Sequence, residues 1–423
     1  MPDHQSKLLV FFNDQRMGEL RRHAGGKLSF AYAADYRGDE ASVPLSLSMS
    51  LLEETHPDDR IRPFLWGLLP DNEQILQRWA RRFQVSAADC FGLLRSIGED
   101  CAGALRFVKP ENAGQAAGGG KRLLNADEIE SRLAELKRDP ALGRLEQDRG
   151  RFSLAGAQAK TALQRRGSKW YLPWGSEPTT HILKPPRPDL AGHAENEHFC
   201  LRLAALLGLR VARSEIVRFG AEIAIVVERY DRLLRHRKLL RIHQEDACQA
   251  LGVHPASKYQ VDGGPGVEAI MALLNRSSRP FEDRRRFIQA IAFNYLILGT
   301  DAHAKNYSLF LGAQGQARLA PLYDLASLLP YTGRRRDERF AMKIDRYYRD
   351  DQIQPRHLER MARRCEFPAA DFLATIRQMA ADLPEKGEQV AAEMNAQEAG
   401  HEILANLLGK LDTRCRRISQ AFT

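Results

Sequence analysis

The chain has 423 residues, about three times a typical domain, so a single small module is excluded and either two or three domains or one large two-lobed unit is expected. Hydrophobic residues make up 43% and charged residues 28%, which sets aside disordered and fibrous classes. Sixty-three Lys plus Arg against 54 Asp plus Glu leave a net charge of +9, a balance that suits a polyanionic partner (nucleic acid, a phosphorylated ligand or a membrane surface) without choosing among them.

Lys7–Phe12 and Lys27–Tyr32 are expected strands, and Leu28, Phe30 and Tyr32 alternate as one buried face requires. From Phe64 the pattern turns helical through LWGLLPDNEQILQRWARRF, interrupted at Pro70. Asn112–Gly120 (NAGQAAGGG) reads as a flexible connector. Its end, Gly118-Gly119-Gly120-Lys121, is followed by Arg122 rather than Ser or Thr, so it reads as linker and not as a phosphate loop. Asn125 and Glu128 form a capping-box pattern that opens a helix. Residues 152–230 alternate strand and loop around a helix at Glu195–Leu207 closed by Gly208, and Ile223–Glu228 (IAIVVE) is a buried strand. Beyond Asp283 the chain is mainly helical. Phe287, Ile291, Tyr295 and Leu298 mark one helix face that stops at Gly299, and Ile403, Leu404, Leu407, Leu408 and Leu411 mark another.

No apolar run approaches the roughly 18–20 residues of a membrane span, and the N-terminus lacks cleavable signal anatomy, so a soluble cytoplasmic protein is expected. The cysteines (Cys90, Cys101, Cys200, Cys248, Cys365, Cys415) stand singly without CxxC pairs and read as reduced thiols; the histidines show no HExxH spacing, so a structural zinc site is not expected. The expected division is 1–110, 111–230 and 231–423. The expected class is α+β: a strand-rich N-terminal module, a mixed segment and a mainly helical C-terminal half suit a two-lobed protein-kinase-like fold, and would also suit many unrelated α+β proteins.

The chemistry concentrates in Gly299–Leu309 (GTDAHAKNYSL) and Pro321–Leu325 (PLYDL). Asp301 precedes Asn306 by five residues, the separation of catalytic Asp and metal-binding Asn in the kinase pattern D-x-x-x-x-N, and Asp324 supplies a second carboxylate where a magnesium ligand would sit. The competing reading is that Thr300 and Asp301 only cap a helix. His303 lies between them, placed to meet the phosphates or Asp324; Lys305 is either a γ-phosphate contact or a solvated charge. Upstream, FSLAGAQAKT is not a Walker A loop, but Ala155, Gly156 and Ala157 are small enough to bring backbone N–H groups close to phosphates. Lys184, ending the apolar THILKP segment, is the candidate phosphate lysine, with Glu195 or Glu197 as its partner. VVERYD would carry the connection between lobes, with Glu228 to Tyr230 against adenine.

SLAGAQAKT, THILKP, VVERYDR, HQEDACQALG, KYQVDGGPG, GTDAHAKNYSL and PLYDLAS occur in the order seen in HipA-type serine/threonine kinases, the toxins of HipA/HipB toxin–antitoxin modules, and FLWGLLPDNE (Phe64–Glu73) and IGEDCAGALRFV (Ile97–Val108) resemble that family's N-terminal domain. The resemblance implies ATP and Mg²⁺ as cofactors, Asp301 as catalytic residue, Asn306 and Asp324 as metal ligands, and Lys184 on the nucleotide phosphates. It implies that Ser153 is autophosphorylated, inactivating the enzyme. It further implies a HipB-like helix-turn-helix antitoxin, operator DNA reached through that partner, and an aminoacyl-tRNA synthetase, glutamyl-tRNA synthetase first, as protein substrate. The segment PPRPDLAGHA after Lys184 is shorter than in the best-studied members, which weakens the substrate inference more than the nucleotide chemistry. Two alternatives stand beside this one: a co-repressor acting mainly as a binding component, and a kinase of another protein or of a small molecule. The Arg-rich stretches Arg232–Arg241, Arg284–Arg286, Arg334–Arg336 and Arg414–Arg417 fit added non-specific contacts to operator DNA.

Overall fold

In the computed structural model, which describes residues 6–115, 118–139, 153, 155–156, 158–236, 238–331 and 338–422, the chain opens with an antiparallel sheet. Its strands are β1 (Lys7–Phe12), β2 (Gln15–Arg22), β3 (Leu28–Tyr32), β4 (Thr55–His56) and β5 (Leu105–Val108), in the order β4-β3-β2-β1-β5. Leu28, Phe30 and Tyr32 turn one face inward, as their alternation predicts. They pack with Phe64 of the helix Asp58–Gly67 and Phe91 of the helix Cys90–Ile97. Pro70 separates this first helix from Glu73–Phe83, whose first turn is capped by Asn72 accepting from the N–H groups of Gln74 (2.9 Å) and Ile75 (3.2 Å). Asp71 is thereby left on the turn between two helices.

A second sheet follows: β6 (Gly119–Leu124), β7 (Thr161–Arg166), β8 (Lys169–Gly175), β9 (His181–Lys184), β10 (Ser214–Phe219) and β11 (Glu222–Glu228), in the order β10-β11-β9-β7-β8-β6. The helix Ala126–Arg138, opened by the expected Asn125/Glu128 capping box, lays Ile129, Leu133 and Leu136 on it against Leu163, Leu183 and Val226. The glycine run corrects the linker expectation. Gly119, Gly120 and Lys121 form β6, paired with Gly175, Trp174 and Pro173 of β8. A Cβ on Gly120 would lie 2.5 Å from the Trp174 ring, so the glycine is there to let the indole close down on the strand.

Helices then dominate. Pro280–Leu296, Ala369–Ala396 and Ile403–Ala421 pack with Phe199 of the helix His193–Leu206 in the largest core. The helix expected to run through Leu298 ends at Leu296, because Leu298 takes a left-handed backbone (φ 53°) and turns the chain. Among the described residues no helix is long and apolar enough to cross a membrane, all six cysteines are buried and free, and no cluster of three or more His, Cys, Asp or Glu side chains offers a metal cage.

The Arg-rich stretches are only partly surface patches: some of their arginines are internal, while Arg235, Arg285, Arg416 and Arg417 are exposed. Arg232 and Arg241 are buried, each 2.9 Å from Asp100 Oδ1, and Arg229 forms a buried pair with Asp231 at 2.9 Å. Arg286 serves Asp283 and the Leu319 carbonyl, Arg284 the carbonyls of Cys365 and Glu366, and Arg414 is buried on Asp350 at 2.6 Å. Each of these internal guanidiniums has at least one partner distant in sequence, Cys101 in the case of Arg229, which a local charge count does not register. Arg334–Arg336 lie outside the described residues.

Glu245, on the strand Gln244–Asp246, is buried where it accepts from the N–H of Leu47 (2.8 Å) and from Ser46 Oγ (2.5 Å). Burial pushes its carboxyl up to about 8 from an ordinary 4.5. The folded state therefore favours the protonated form. That contribution is complete below pH 4.5 and is lost as pH rises through about 8. Glu245→Gln, neutral throughout, should gain melting temperature over the wild type progressively between pH 4.5 and 8, measured by thermal denaturation across that range.

Candidate active site

A cavity of about 590 Å³ lies between the second sheet and the helical lobe. Lys184 enters it because β9 is held between β7 and β11, with Lys184 opposite Ile225 at the strand end. Its amine is buried 2.7 Å from Glu197 Oε1 and forms a second ion pair with Asp324. Glu195, the other candidate partner, is buried two residues earlier on the same helix and does not pair with Lys184; its Oε2 has no partner among the described residues. Burial opposes the charge on Lys184, but Asp324 and Glu197 outweigh it and raise the amine above its ordinary range. Burial likewise opposes the Asp324 carboxylate, and Lys184 with Lys160 overcomes it, holding Asp324 well below the usual carboxylate range. Lys184 is thus a cation and Asp324 an anion at neutral pH. Asp324 is itself in left-handed backbone (φ 51°).

Asp301 sits on the opposite wall, its side chain 73% exposed. The chain reaches it through Leu298 and then Gly299, where a Cβ would meet Asn294 Oδ1 at 2.3 Å. Asn306 donates from Nδ2 to the Asp301 carbonyl at 2.8 Å, which closes the loop and leaves the amide oxygen as the atom that could hold a metal. Tyr259 donates its hydroxyl to Asp301 Oδ1 at 2.6 Å. His303 packs edge-on against Tyr259 at 5.0 Å between ring centroids, with Nε2 4.0 Å from Asp301 Oδ1. Burial lowers the imidazole to about 4, so His303 meets a ligand as a neutral ring.

The small-residue loop forms part of the cavity wall at Ala155 and Gly156. Gly156 has φ 103°, a conformation that other residues resist, and a Cβ there would lie 2.6 Å from Lys160 Nζ. Lys160 donates to the Ala155 carbonyl at 2.7 Å; burial, then Lys184, lowers its amine to about 8. Ala157 lies outside the described residues. Ser153 is fully buried, donating its hydroxyl to the Leu68 carbonyl at 2.6 Å and its N–H to the Asp100 carbonyl at 2.9 Å. Glu228 closes β11 at the cavity, and Tyr230 beyond it donates to Gln244 Oε1 at 2.5 Å.

Lys160, Asp71, Lys258 and Tyr259 also line the cavity, and sequence reasoning assigned none of them a role. The signal was present in the segments AGAQAKT, LPDNE and KYQVD. Lys305, left open between phosphate contact and solvated charge, is buried and 2.6 Å from Asp71 Oδ1.

The donor set suits a nucleotide with a hard divalent cation. Asp324 and Asn306 offer one carboxylate and one amide oxygen, the sparse oxygen set that magnesium takes when phosphates and water complete its shell. The buried ring nitrogens Nδ1 of His193 and His303 have no protein partner among the described residues, although both histidines line the cavity.

Comparison with known proteins identifies the family. Residues 8–108 match the HipA N-terminal domain and residues 152–387 the HipA-like C-terminal domain. The chain belongs to the HipA family. It is 30% identical over 430 residues to the serine/threonine-protein kinase toxin HipA of Shewanella oneidensis, covering 94% of this chain and 95% of that one. A Sinorhizobium fredii protein named "Putative kinase Y4mE" is 39% identical over 330 residues, covering 77% and 78% of the two chains. The Shewanella oneidensis HipA solved with HipB and operator DNA superposes with a TM-score of 0.83 at 28% identity, covering 98% of each chain. The α+β kinase-like architecture is therefore that of HipA.

Proposed function

We propose that this HipA-family chain is a protein kinase that uses ATP and Mg²⁺ to phosphorylate a serine of a protein substrate. The observation that carries the reading is convergence: Lys184, paired with Glu197 and Asp324, faces the Asp301–Asn306 loop across one cavity. ATP supplies the phosphoryl group and Mg²⁺ neutralises developing charge on the phosphates. Lys184 holds a fixed cation against those phosphates, at no reorganisation cost because Glu197 already orients it. Asp324 and Asn306 would hold the metal. Asp301, exposed and anchored by Tyr259, orients the attacking hydroxyl and takes its proton. Ala155 and Gly156 present backbone to the phosphates, and Glu228 with Tyr230 borders the adenine end.

Ser153 is read as the site of autophosphorylation. A phosphate of nearly two negative charges cannot occupy its buried place under Leu68, so modification expels the small-residue loop and dismantles that wall of the cavity. The substrate is read as an aminoacyl-tRNA synthetase, glutamyl-tRNA synthetase first, whose modification would slow translation and growth. The Shewanella relative was solved with HipB and operator DNA. A HipB-like antitoxin that carries this chain to operator DNA in the cytoplasm follows by analogy, with specific DNA affinity resting on the partner and the exposed Arg235, Arg285, Arg416 and Arg417 adding at most non-specific phosphate contacts.

Purified protein incubated with ATP and Mg²⁺ should carry phosphate on Ser153 by mass spectrometry, and Asp301→Asn should carry none. Absence of both phosphate and ATP binding would sink the kinase reading. Phosphoproteomics of cells expressing wild type against Asp301→Asn tests the synthetase; no modified synthetase removes that substrate and leaves the kinase.

A further inference from the structure

The turn left between two helices by Pro70 and Asn72 brings Asp71 out of the N-terminal domain and into the cavity wall. Its carboxylate is shared by two lysines of the helical lobe: Oδ1 lies 2.6 Å from Lys305 Nζ and Oδ2 2.9 Å from Lys258 Nζ. All three side chains are mostly covered, at 11% exposure for Asp71, 4% for Lys305 and 14% for Lys258. Neither lysine is incidental to the reaction centre. Lys305 sits inside the loop between Asp301 and Asn306, and its carbonyl accepts from the Tyr323 hydroxyl at 2.5 Å, one residue before Asp324. Lys258 precedes Tyr259, which holds the Asp301 carboxylate at 2.6 Å, and the Lys258 carbonyl accepts from the N–H of Ala304 at 3.4 Å. Asp71 also donates its own N–H to the Gly156 carbonyl at 3.3 Å, and Pro70 bridges to Gly156. One residue of the N-terminal domain thus spans from the small-residue loop to the catalytic loop.

Resting on the kinase reading above, we propose that Asp71 is a positioning residue for phosphoryl transfer: it clamps Lys305 and Lys258 so that the Asp301 loop and Tyr259 are held in register with the Gly156 loop. The HipA N-terminal domain then completes the catalytic site. Without the carboxylate, two poorly hydrated ammonium groups face each other across the cavity wall and must move apart, and each carries a segment that contacts Asp301. Displacements of about 1 Å at a reacting group lower rates by up to roughly a hundredfold. The Asp71 carboxylate pairs with Lys305 and Lys258 and not with Lys184, the lysine assigned to the phosphates, so its loss weighs more on transfer than on nucleotide affinity.

The test uses the full chain with γ-labelled ATP and Mg²⁺, counting label that leaves ATP for protein or water, beside ATP affinity from a fluorescent analogue and melting temperature. Asp71→Asn should lower kcat at saturating ATP at least about tenfold while ATP affinity stays within about twofold. Lys258→Gln, which keeps the Asp71–Lys305 pair, should lower kcat less, and the double variant should be no slower than Asp71→Asn alone. An active wild type with an equally active Asp71→Asn overturns the proposal and spares the kinase reading, as does a loss confined to ATP affinity with kcat intact. If Asp71→Asn does not fold, Lys258→Gln decides: unchanged kcat overturns the proposal. A wild type that releases no label overturns the kinase reading and this proposal with it.

Discussion

Asp301→Asn should lose phosphoryl transfer by about 10²–10⁴-fold while binding ATP as the wild type does. The size follows from the kind of group removed. Asp301 is the exposed carboxylate on the Asn306 loop and takes no part in the Lys184–Glu197–Asp324 group on the facing wall. An asparagine keeps an oxygen to accept from Tyr259, so the loop retains its anchor and only the capacity to take a proton is lost. Stability should stay within about 0.5 kcal/mol of the wild type, as for exposed positions generally. Single-turnover transfer from labelled ATP, with ATP affinity and melting temperature measured beside it, checks all three expectations. A variant that still transfers phosphate at more than a tenth of the wild-type rate would show that another group takes the proton, since general bases contribute about a hundredfold or more.

Asp100→Ala should be the most damaging substitution for the fold, at about 3–5 kcal/mol. Asp100 is fully enclosed and accepts from Arg232 and Arg241 at 2.9 Å and from Thr179 Oγ1 at 2.7 Å. It lies in the N-terminal domain, Thr179 precedes β9, and both arginines follow β11, so three parts of the chain meet on one carboxylate. Alanine would leave the arginines buried without that anion; Asp100→Asn, which keeps acceptor capacity, should cost less. Burial opposes the charge, yet Arg232, Arg241 and Arg229 overcome it and hold the carboxyl well below its ordinary range. A depressed folded pKa means the contribution is complete above the unfolded value, near 3.8, and is lost only as pH falls through the folded one. The difference between wild type and variant should therefore be constant from pH 5 to 8 and shrink in strong acid. Urea unfolding at several pH values reads it directly. Ser153 donates its N–H to the main-chain carbonyl of this same residue, a contact that alanine retains.

The parts legible in the sequence were those set by local pattern. Leu28, Phe30 and Tyr32 alternate on a strand, Asn125 and Glu128 cap a helix, and Asp301 and Asn306 keep a fixed spacing because one short loop must hold both. What escaped depends on partners far along the chain. Lys258 and Lys305 find Asp71 from 187 and 234 residues away, and Arg232 finds Asp100 from 132 residues away, so a basic residue read within its own stretch looks solvated when it is internal. Glu195 and Glu197 illustrate a different limit. Both are buried on one helix, and two positions along a helix differ by about 200° of rotation, so only the placement of β9 decides which one meets Lys184. Gly119 and Gly120 read as linker because a glycine needed to admit a tryptophan ring looks the same, in one dimension, as a glycine needed for freedom.

Leu298 and Asp324, both in left-handed backbone, flank the two segments that carry the proposed chemistry. Aspartate enters such a conformation more readily than most non-glycine residues, whereas a leucine resists it. The surrounding lobe imposes the shape: the Leu298 carbonyl is held by the N–H of Leu328 at 3.1 Å, and Asp324 by its ion pair with Lys184. The motif by which a reader recognises this family is therefore not a self-standing module. Excised as a peptide or grafted onto a foreign loop, its letters would survive and its geometry would not, and any transplant of this chemistry has to carry the frame along with the words.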